Sequence, residues 1–292
     1  MTSTGSTPAA SAPPHGGPTG PSYQAVEQVI RAIHEHLEEP LTLLDLADIA
    51  GLSPFHFNRL FRRITGVPPC HFLAALRMEA AKRLLLTTGL NVTEICLTVG
   101  YQSLGSFTTH FTRFVGISPS RFRALALQYL HGTPSWLSAY VSATPPAEQE
   151  CGMAGQVQVS EDFSGFVAVG LFGAAIPQER PSACCLLAQP GSYQLPCLPD
   201  GEHYVFAVAF AWMQDPLCYL LPGGPAVRVS NQRVVGATGG RVDGPVDLTL
   251  RPMRLTDPPI LIALPLLLME RAGHNHLQTA QSPRNIAKLA AL

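Results

Sequence analysis

Between residues 23 and 131, apolar positions recur at three- and four-residue steps, the spacing that places side chains on one face of a helix. The first such stripe consists of Val26, Val29, Ile30, Ile33 and Leu37. A short second helix follows and stops at Gly51, where a left-handed cap is expected. A third helix begins at Ser53 and Pro54, because a capping residue followed by proline is typical of a helix start, and Gly66 ends it. A longer fourth helix is predicted over residues 71–88.

This helical pattern occurs twice. Gly51 is matched by Gly100 at an offset of 49 residues. From the next helix onward the offset is 50 residues, and the matched positions are Phe57 with Phe107, Phe61 with Phe111, Arg63 with Arg113, Gly66 with Gly116, and Pro69 with Pro119. A helix, a glycine-containing turn and a second helix form the layout that places one helix in the DNA major groove. Residues 23–131 are therefore predicted to form an all-α tandem helix-turn-helix domain.

The periodicity changes after residue 155. Short apolar or alternating runs occur at 166–171, 183–187, 204–210, 227–229, 246–250 and 260–264, separated by turn-forming residues. Runs of this length and spacing predict an antiparallel β-sandwich over residues 156–270. The predicted fold class is therefore a two-domain chain, α followed by β.

Three further segments have other compositions. Residues 1–22 and 271–292 are interpreted as a disordered tail and a C-terminal tail, and residues 132–155 as a linker. The longest apolar run, residues 259–269, is broken by Pro265. It is shorter than the ~18 residues that a membrane helix needs. Because a signal-peptide pattern is also absent from the sequence, we expect a cytoplasmic protein without a membrane partner.

The net charge of −1 conceals an uneven distribution. From Phe55 to Arg123 there are nine basic and two acidic residues, a balance of +7, whereas after His131 nine basic residues face twelve acidic ones. A basic segment that coincides with a helix-turn-helix repeat predicts contact with nucleic acid.

In the first unit, the buried stripe leaves Phe55, Asn58, Arg59, Arg62 and Arg63 on the opposite side of the third helix. Asparagine can pair with adenine and arginine with guanine, while Arg62 and Arg63 suit phosphates. The alternative interpretation is an ordinary solvated helix face. Because the repeat and the charge distribution agree, we favour DNA contact.

The second unit presents Leu104, Ser106, Thr108, Thr109 and Arg113. Hydroxyl groups can meet phosphates or bases, and Leu104 can touch a thymine methyl group. A helix that rests mainly on the DNA backbone is an equally good interpretation of this surface.

The two units resemble the AraC/XylS family of transcription regulators. The matching segments are LTLLDLADIAGLSPFHFNRLFRRITGVPPCHFL and NVTEICLTVGYQSLGSFTTHFTRFVGISPSRFR. The resemblance implies a seven-helix domain whose two recognition helices enter successive major grooves. It also implies base-facing positions, namely Phe55, Asn58 and Arg59 in the first unit and Leu104, Gly105, Ser106 and Thr109 in the second. The implied role is transcription regulation, with double-stranded DNA and RNA polymerase as partners. The sequence leaves open whether the protein is an activator or a repressor.

The C-terminal part contains the segments GSYQLP at 191–196, LPDGEHYVF at 198–206 and DLTL at 247–250. With these segments it resembles a small prealbumin-like sandwich of the carboxypeptidase regulatory type, and a GyrI-like effector domain is the rival layout. We expect this part to bind a small-molecule effector or to mediate self-association. The alternative function is a non-enzymatic interaction module whose sandwich recruits a protein partner, with DNA binding secondary.

The cysteine pattern argues against an enzyme. Seven cysteines occur without a CxxC motif, and Cys184, Cys185, Cys197, His203 and Cys218 match no common zinc spacing. We expect buried free thiols, no metal site and no cofactor. The tripeptide at residues 69–71, Pro-Cys-His, matches the acceptor motif of Ada-type DNA repair proteins, but it lies within the repeat and is interpreted as chance.

Overall fold

The computed structural model describes residues 20–131, 151–159, 163–213, 215–223, 227–230 and 233–267. The predicted N-terminal tail up to residue 19, the linker up to residue 150 and the C-terminal tail lie outside the described residues. Seven helices make up the first part of the chain: α1 (Pro21–Glu35), α2 (Leu43–Ile49), α3 (Pro54–Thr65), α4 (Pro69–Thr87), α5 (Val92–Thr98), α6 (Leu104–Val115) and α7 (Pro119–His131). Helix α1 thus begins two residues inside the segment predicted as tail.

The repeat is visible in the backbone. Thr42 and Asp45 form a reciprocal capping box at the start of α2, and Asn91 and Glu94 form the same box at the start of α5. The glycines that follow these helices, Gly51 and Gly100, have φ angles of 64° and 81°. Gly66 and Gly116 end α3 and α6 at φ angles of 82° and 92°. The same backbone pattern, a capped helix followed by a glycine turn and a second helix, therefore occurs twice, with α4 between the copies.

The second part of the chain is rich in β-structure. Its elements are β1 (Cys151–Val159), β2 (Gly165–Phe172), β3 (Ala183–Leu187), β4 (Ser192–Pro196), β5 (Gly201–Ala211), the short helix α8 (Leu217–Leu220), β6 (Val227–Ser230), β7 (Arg233–Thr238), β8 (Arg241–Val242) and β9 (Leu248–Pro252). Strand β1 starts five residues before the predicted beginning of the β-domain at residue 156.

The strands join in one hydrogen-bonded path, β3-β2-β5-β6-β9-β1-β4, with β7 attached to β5 and β8 to β7. This path curls around a common apolar core and is nearly barrel-like. The sequence predicts a purely antiparallel arrangement, but β1 pairs with β9 in parallel, with Val157 opposite Leu248. The difference arises because strand direction depends on the long connections between strands, which periodicity does not report.

Strands β2 and β5 have two apolar faces. Val167 and Val205 point into the core of the β-domain, whereas their neighbours Ala168 and Phe206 lie on the opposite face of the sheet. This second face is turned towards the helices, and Phe172 at the end of β2 belongs to the helical core. One strand therefore contributes to both cores.

The segment that follows β9, residues 253–267, is here called the connecting segment. The sequence predicts a strand over 260–264, and that prediction is wrong: residues 260–263 have no regular structure and 264–267 are helical. The side chains of Leu261, Ala263 and Leu266 are completely buried in the core of the helical domain. An apolar run indicates that a segment is buried, but not which element covers it. Here the segment packs against helices rather than against a neighbouring strand.

Polar contacts hold the connecting segment against three of the helices. The Tyr23 and Thr256 hydroxyl groups are 2.6 Å apart, and the Ala263 N–H donates to the Val115 carbonyl oxygen at 3.2 Å. On α4, the side chain of Lys82 is fully buried, and its ammonium group donates to the carbonyl oxygen of Leu261. The two parts of the chain consequently share one core instead of meeting only at a linker.

Burial of the cysteines differs from the prediction. Among the six whose burial is described, only Cys96 is buried; Cys70 and Cys197 are exposed, and Cys184, Cys185 and Cys218 are half-buried. All six are free thiols. None of the helices in the described ranges has both the length and the apolar character needed to cross a membrane.

Candidate nucleic-acid interface

Helix α3 separates its side chains into two faces. Phe57, Leu60 and Phe61 are buried, and Phe57 and Phe61 form an edge-to-face ring pair at 5.5 Å. The structure places all five predicted contact residues of this unit on the outer face, where each is exposed: Phe55, Asn58, Arg59, Arg62 and Arg63. These five residues and Gly66 line one shallow depression, here called the outer groove.

An exposed aromatic ring lies at the start of α3. Phe55 is 79% exposed, the most exposed large apolar side chain found among the described residues. The guanidinium carbon of Arg59 lies 5.8 Å from the centre of the Phe55 ring. Such a contact orients the arginine without removing its hydrogen-bond donors. The pair therefore presents an apolar surface and a fork of donors side by side.

Helix α6 carries shorter side chains. Leu104 is 43% exposed, Ser106 and Thr109 are exposed, and Thr108 is half-buried. The Ser103 hydroxyl oxygen accepts from the Ser106 N–H at 3.4 Å and caps the helix. The surface of this helix can donate and accept single hydrogen bonds, but it has no long donors near its first turn.

Arg113, the remaining predicted contact residue, lies near the β-domain. Its side chain is 3.7 Å from the carboxylate of Glu179, and its backbone carbonyl oxygen accepts from the Glu179 N–H. Nearby, the His71 ring packs against Phe114, and burial, together with the positive charge of Arg113, lowers the pKa of His71. Arg113 thus connects the end of α6 to the loop between β2 and β3.

Several basic residues of the basic segment serve the fold. Arg77 donates to the carbonyl oxygens of Leu37 and Glu39, and Arg123 donates to those of Leu85 and Leu90. Lys82 is enclosed between α4 and the connecting segment, and its burial lowers its pKa to about 7. Together with Arg113, which contacts Glu179, four of the nine basic side chains therefore belong to the interior or to loop contacts. The outer groove is lined by three other arginines of the basic segment, Arg59, Arg62 and Arg63.

A cavity that sequence reasoning missed lies behind the end of α3. Its volume is about 310 Å³, and it is lined by residues 63–66 of the α3 end, by the outer faces of β2 and β5, and by the connecting segment. Arg63 and Gly66 border both this cavity and the outer groove. No local motif marks the cavity, because its walls come from segments that are more than a hundred residues apart.

Within the described ranges, no cluster of three or more histidine, cysteine, aspartate or glutamate side chains has the geometry to hold a metal ion. His203, which the sequence places near the cysteines, instead contacts the carbonyl oxygen of Pro199 through its Nε2 atom at 2.7 Å.

The helical domain is similar to known regulators. A family model described as a helix-turn-helix domain matches residues 46–125. The transcriptional regulator YobQ of Bacillus subtilis is 38% identical over 94 residues, which are 32% of this chain and 39% of YobQ. AdaA of the same organism, named a bifunctional transcriptional activator and DNA repair enzyme, is 33% identical over 36% of this chain and 50% of its own length. This chain therefore spans half or less of these two relatives.

A further relative is matched over most of its length. The transcriptional activator AarP of Providencia stuartii is 34% identical over 98 residues, which are 34% of this chain and 73% of AarP. Residues 46–125, which the family model matches, contain the Asn91–Glu94 capping box, the paired glycines and both exposed helix faces described above. The chain therefore belongs to the AraC family of helix-turn-helix transcriptional regulators.

Proposed function

We propose that the protein reads double-stranded DNA with α3 and α6, each in one of two successive major grooves, and thereby regulates transcription. The observation that carries the proposal is the outer face of α3. It holds Asn58 and Arg59, whose side chains can pair bidentately with adenine and guanine, beside an exposed Phe55 that suits a thymine methyl group.

The roles of the arginines differ. Arg59 lies on the same exposed face as Asn58 and contacts the Phe55 ring, so it is assigned to base readout. Arg62 and Arg63 lie in the last turn of α3 and are assigned to phosphates, which fix the register of the helix without choosing a sequence. The short side chains of α6 support a second contact that depends more on the DNA backbone than on the bases.

The β-domain is assigned to effector sensing. It shares a core with the helices, and it borders a cavity that touches the end of α3. A change in the β-domain therefore reaches a recognition helix through direct contacts. This arrangement favours a regulatory role over the alternative in which the β-domain only recruits another protein.

The test uses the full-length protein and a DNA site selected from a random pool. Fluorescence anisotropy at several salt concentrations is expected to show steeply falling affinity, because each neutralised phosphate releases counterions. A flat salt response would contradict the proposal.

The role assignments are tested with two matched variants. Arg59→Ala is expected to weaken binding to the selected site by about 10-fold or more while leaving binding to unrelated DNA nearly unchanged. Arg62→Ala is expected to weaken both alike and to reduce the salt slope by about one. Identical behaviour of the two variants would contradict the division of roles.

A further inference from the structure

We propose that the cavity behind α3 binds a small apolar carboxylate, and that this ligand lowers DNA affinity by engaging Arg63. The binding site stands on its own geometry, whereas the effect on DNA rests on the function proposed above.

The size and lining of the cavity fit a small organic molecule. A volume of about 310 Å³ falls at the lower end of the range of ligand pockets in proteins. The sheet wall is apolar, and small residues such as Ala168 and Gly170 face Phe206 and Val208 across neighbouring strands. Because the residues at the contact between the sheet and the helices are small, space remains between these two layers.

The charges around the cavity favour an anion. Arg251 and Asp257 form a bidentate ion pair with both contacts at 2.7 Å, so these two charges compensate each other. The Thr65 hydroxyl donates to the Phe61 carbonyl oxygen, and the Ser230 hydroxyl accepts from the Ala207 N–H.

Arg63 is the remaining charged group of the lining. Its side chain is exposed, and no hydrogen bond or ion pair to this side chain is found among the described residues. A ligand with an apolar body and a carboxylate at the rim therefore complements both the lining and its charge.

The position of Arg63 couples this site to the DNA-binding face. Arg63 borders the cavity on one side and, on the other, the outer groove that contains Asn58 and Arg59. A carboxylate bound to Arg63 competes with a DNA phosphate for the same guanidinium group. By thermodynamic linkage, the ligand then weakens DNA binding and DNA weakens ligand binding by the same factor.

The site is tested first without DNA. Calorimetric titration of the full-length protein with cinnamate is expected to show saturable binding to one site per chain. The neutral isostere cinnamamide is expected to bind at least about 3-fold more weakly, because it lacks the charge that Arg63 recognises. Absence of saturable cinnamate binding would overturn the proposal.

Variants locate the binding. Arg63→Gln is expected to abolish the preference for cinnamate over cinnamamide, whereas Arg62→Gln, an adjacent arginine that does not line the cavity, is expected to keep it. Ala168→Leu and Val208→Phe are expected to fill the cavity and remove binding, and circular dichroism selects the variant that keeps the wild-type fold. Wild-type cinnamate binding in a folded cavity-filling variant, or equal effects of the two arginine substitutions, would overturn the assignment.

The coupling is tested with DNA. Saturating cinnamate is expected to weaken DNA binding of the wild-type protein by about 5-fold and to leave the folded cavity-filling variant unaffected. If cinnamate binds but DNA affinity does not change, the coupling is refuted. If the protein binds cinnamate but no DNA at all, the proposed function fails while the ligand site stands.

Discussion

The ammonium nitrogen of Lys82 lies 3.0 Å from the carbonyl oxygen of Leu261, inside the core that α4 and the connecting segment share. The carbonyl oxygen of Ile260 lies 3.5 Å away on the same segment. Burial removes water from this ammonium group and lowers the pKa of Lys82 to about 7, while the carboxylate of Glu79 acts in the opposite direction. The protonation state of Lys82 is thus linked to the packing of the connecting segment against α4.

Stability is therefore expected to rise with pH above neutrality. In the unfolded chain the pKa of a lysine is about 10.4. In the folded protein Lys82 has a pKa of about 7, so between these values the unfolded state binds one more proton. Raising the pH then favours the folded state, by up to about 1.4 kcal/mol per pH unit.

The measurement compares the wild-type protein with Lys82→Met by urea denaturation between about pH 7.5 and 9.5. The variant lacks the titrating group, so the difference in the free energy of unfolding should change steadily with pH in favour of the wild type. If the free energies of unfolding of the two proteins changed with pH in parallel, Lys82 would keep its proton in the folded state, contrary to the expectation.

Truncation of a buried leucine in the connecting segment is expected to destabilise the helices. Leu261 is completely buried, so Leu261→Ala leaves a cavity and should cost about 2–5 kcal/mol. Leu255, in the same segment, is 36% exposed, and Leu255→Ala should cost less than about 1 kcal/mol. Urea unfolding followed by far-ultraviolet circular dichroism compares the two. Equal and small losses would mean that the helical domain does not depend on this segment.

Removal of the exposed ring on α3 is expected to affect DNA binding and not stability. Because Phe55 is 79% exposed, Phe55→Ala should change the free energy of unfolding by less than about 0.5 kcal/mol. Its affinity for the selected DNA site should fall by about 5-fold, since the apolar contact and the orientation of Arg59 are both lost. Leu97, on α5, is 62% exposed and provides the control, because Leu97→Ala should leave both quantities unchanged. A loss of DNA affinity in the control variant would remove the argument for Phe55.

The two turn glycines are expected to tolerate alanine unequally. Both have a positive φ angle, which costs an alanine roughly 1–2 kcal/mol. At Gly51 an added Cβ meets nothing within 4 Å, whereas at Gly100 it would lie 2.8 Å from the carbonyl oxygen of Glu38. Gly100→Ala should therefore lower the melting temperature clearly more than Gly51→Ala. A reversed order in thermal denaturation would contradict this account of the second turn.

Local patterns predicted the helical domain well. Four positions of the first stripe are buried in α1, namely Val26, Val29, Ile30 and Ile33, whereas the fifth, Leu37, follows the end of this helix and is half-buried. The Ser53–Pro54 start of α3 and the stops at Gly51 and Gly66 are confirmed, because each depends on neighbours within one or two helical turns. The exposed face of α3 follows from the same periodicity. The assignment of that face to DNA bases remains a prediction.

Features that depend on contacts between distant parts of the chain could not be predicted from local sequence patterns. The run at 260–264 has the composition of a buried strand, and only the tertiary structure shows that helices cover it. Lys82 counts as one basic residue among nine in the sequence, although its position between α4 and the connecting segment removes it from the surface. Likewise, the cavity behind α3 arises from the docking of a sheet onto a helix end, which neither periodicity nor motif spacing encodes.

The shared core also has a consequence for biosynthesis. Helix α7 ends at His131, and the connecting segment ends at Leu267, 136 residues later in the chain. At translation rates of 5–20 residues per second, the ribosome needs on the order of ten seconds to make this stretch. During that interval the nascent helices lack the leucines that complete their core, so a prematurely terminated chain leaves an apolar surface uncovered. The order of segments along the gene thus delays completion of the helical core until the β-domain has been synthesised.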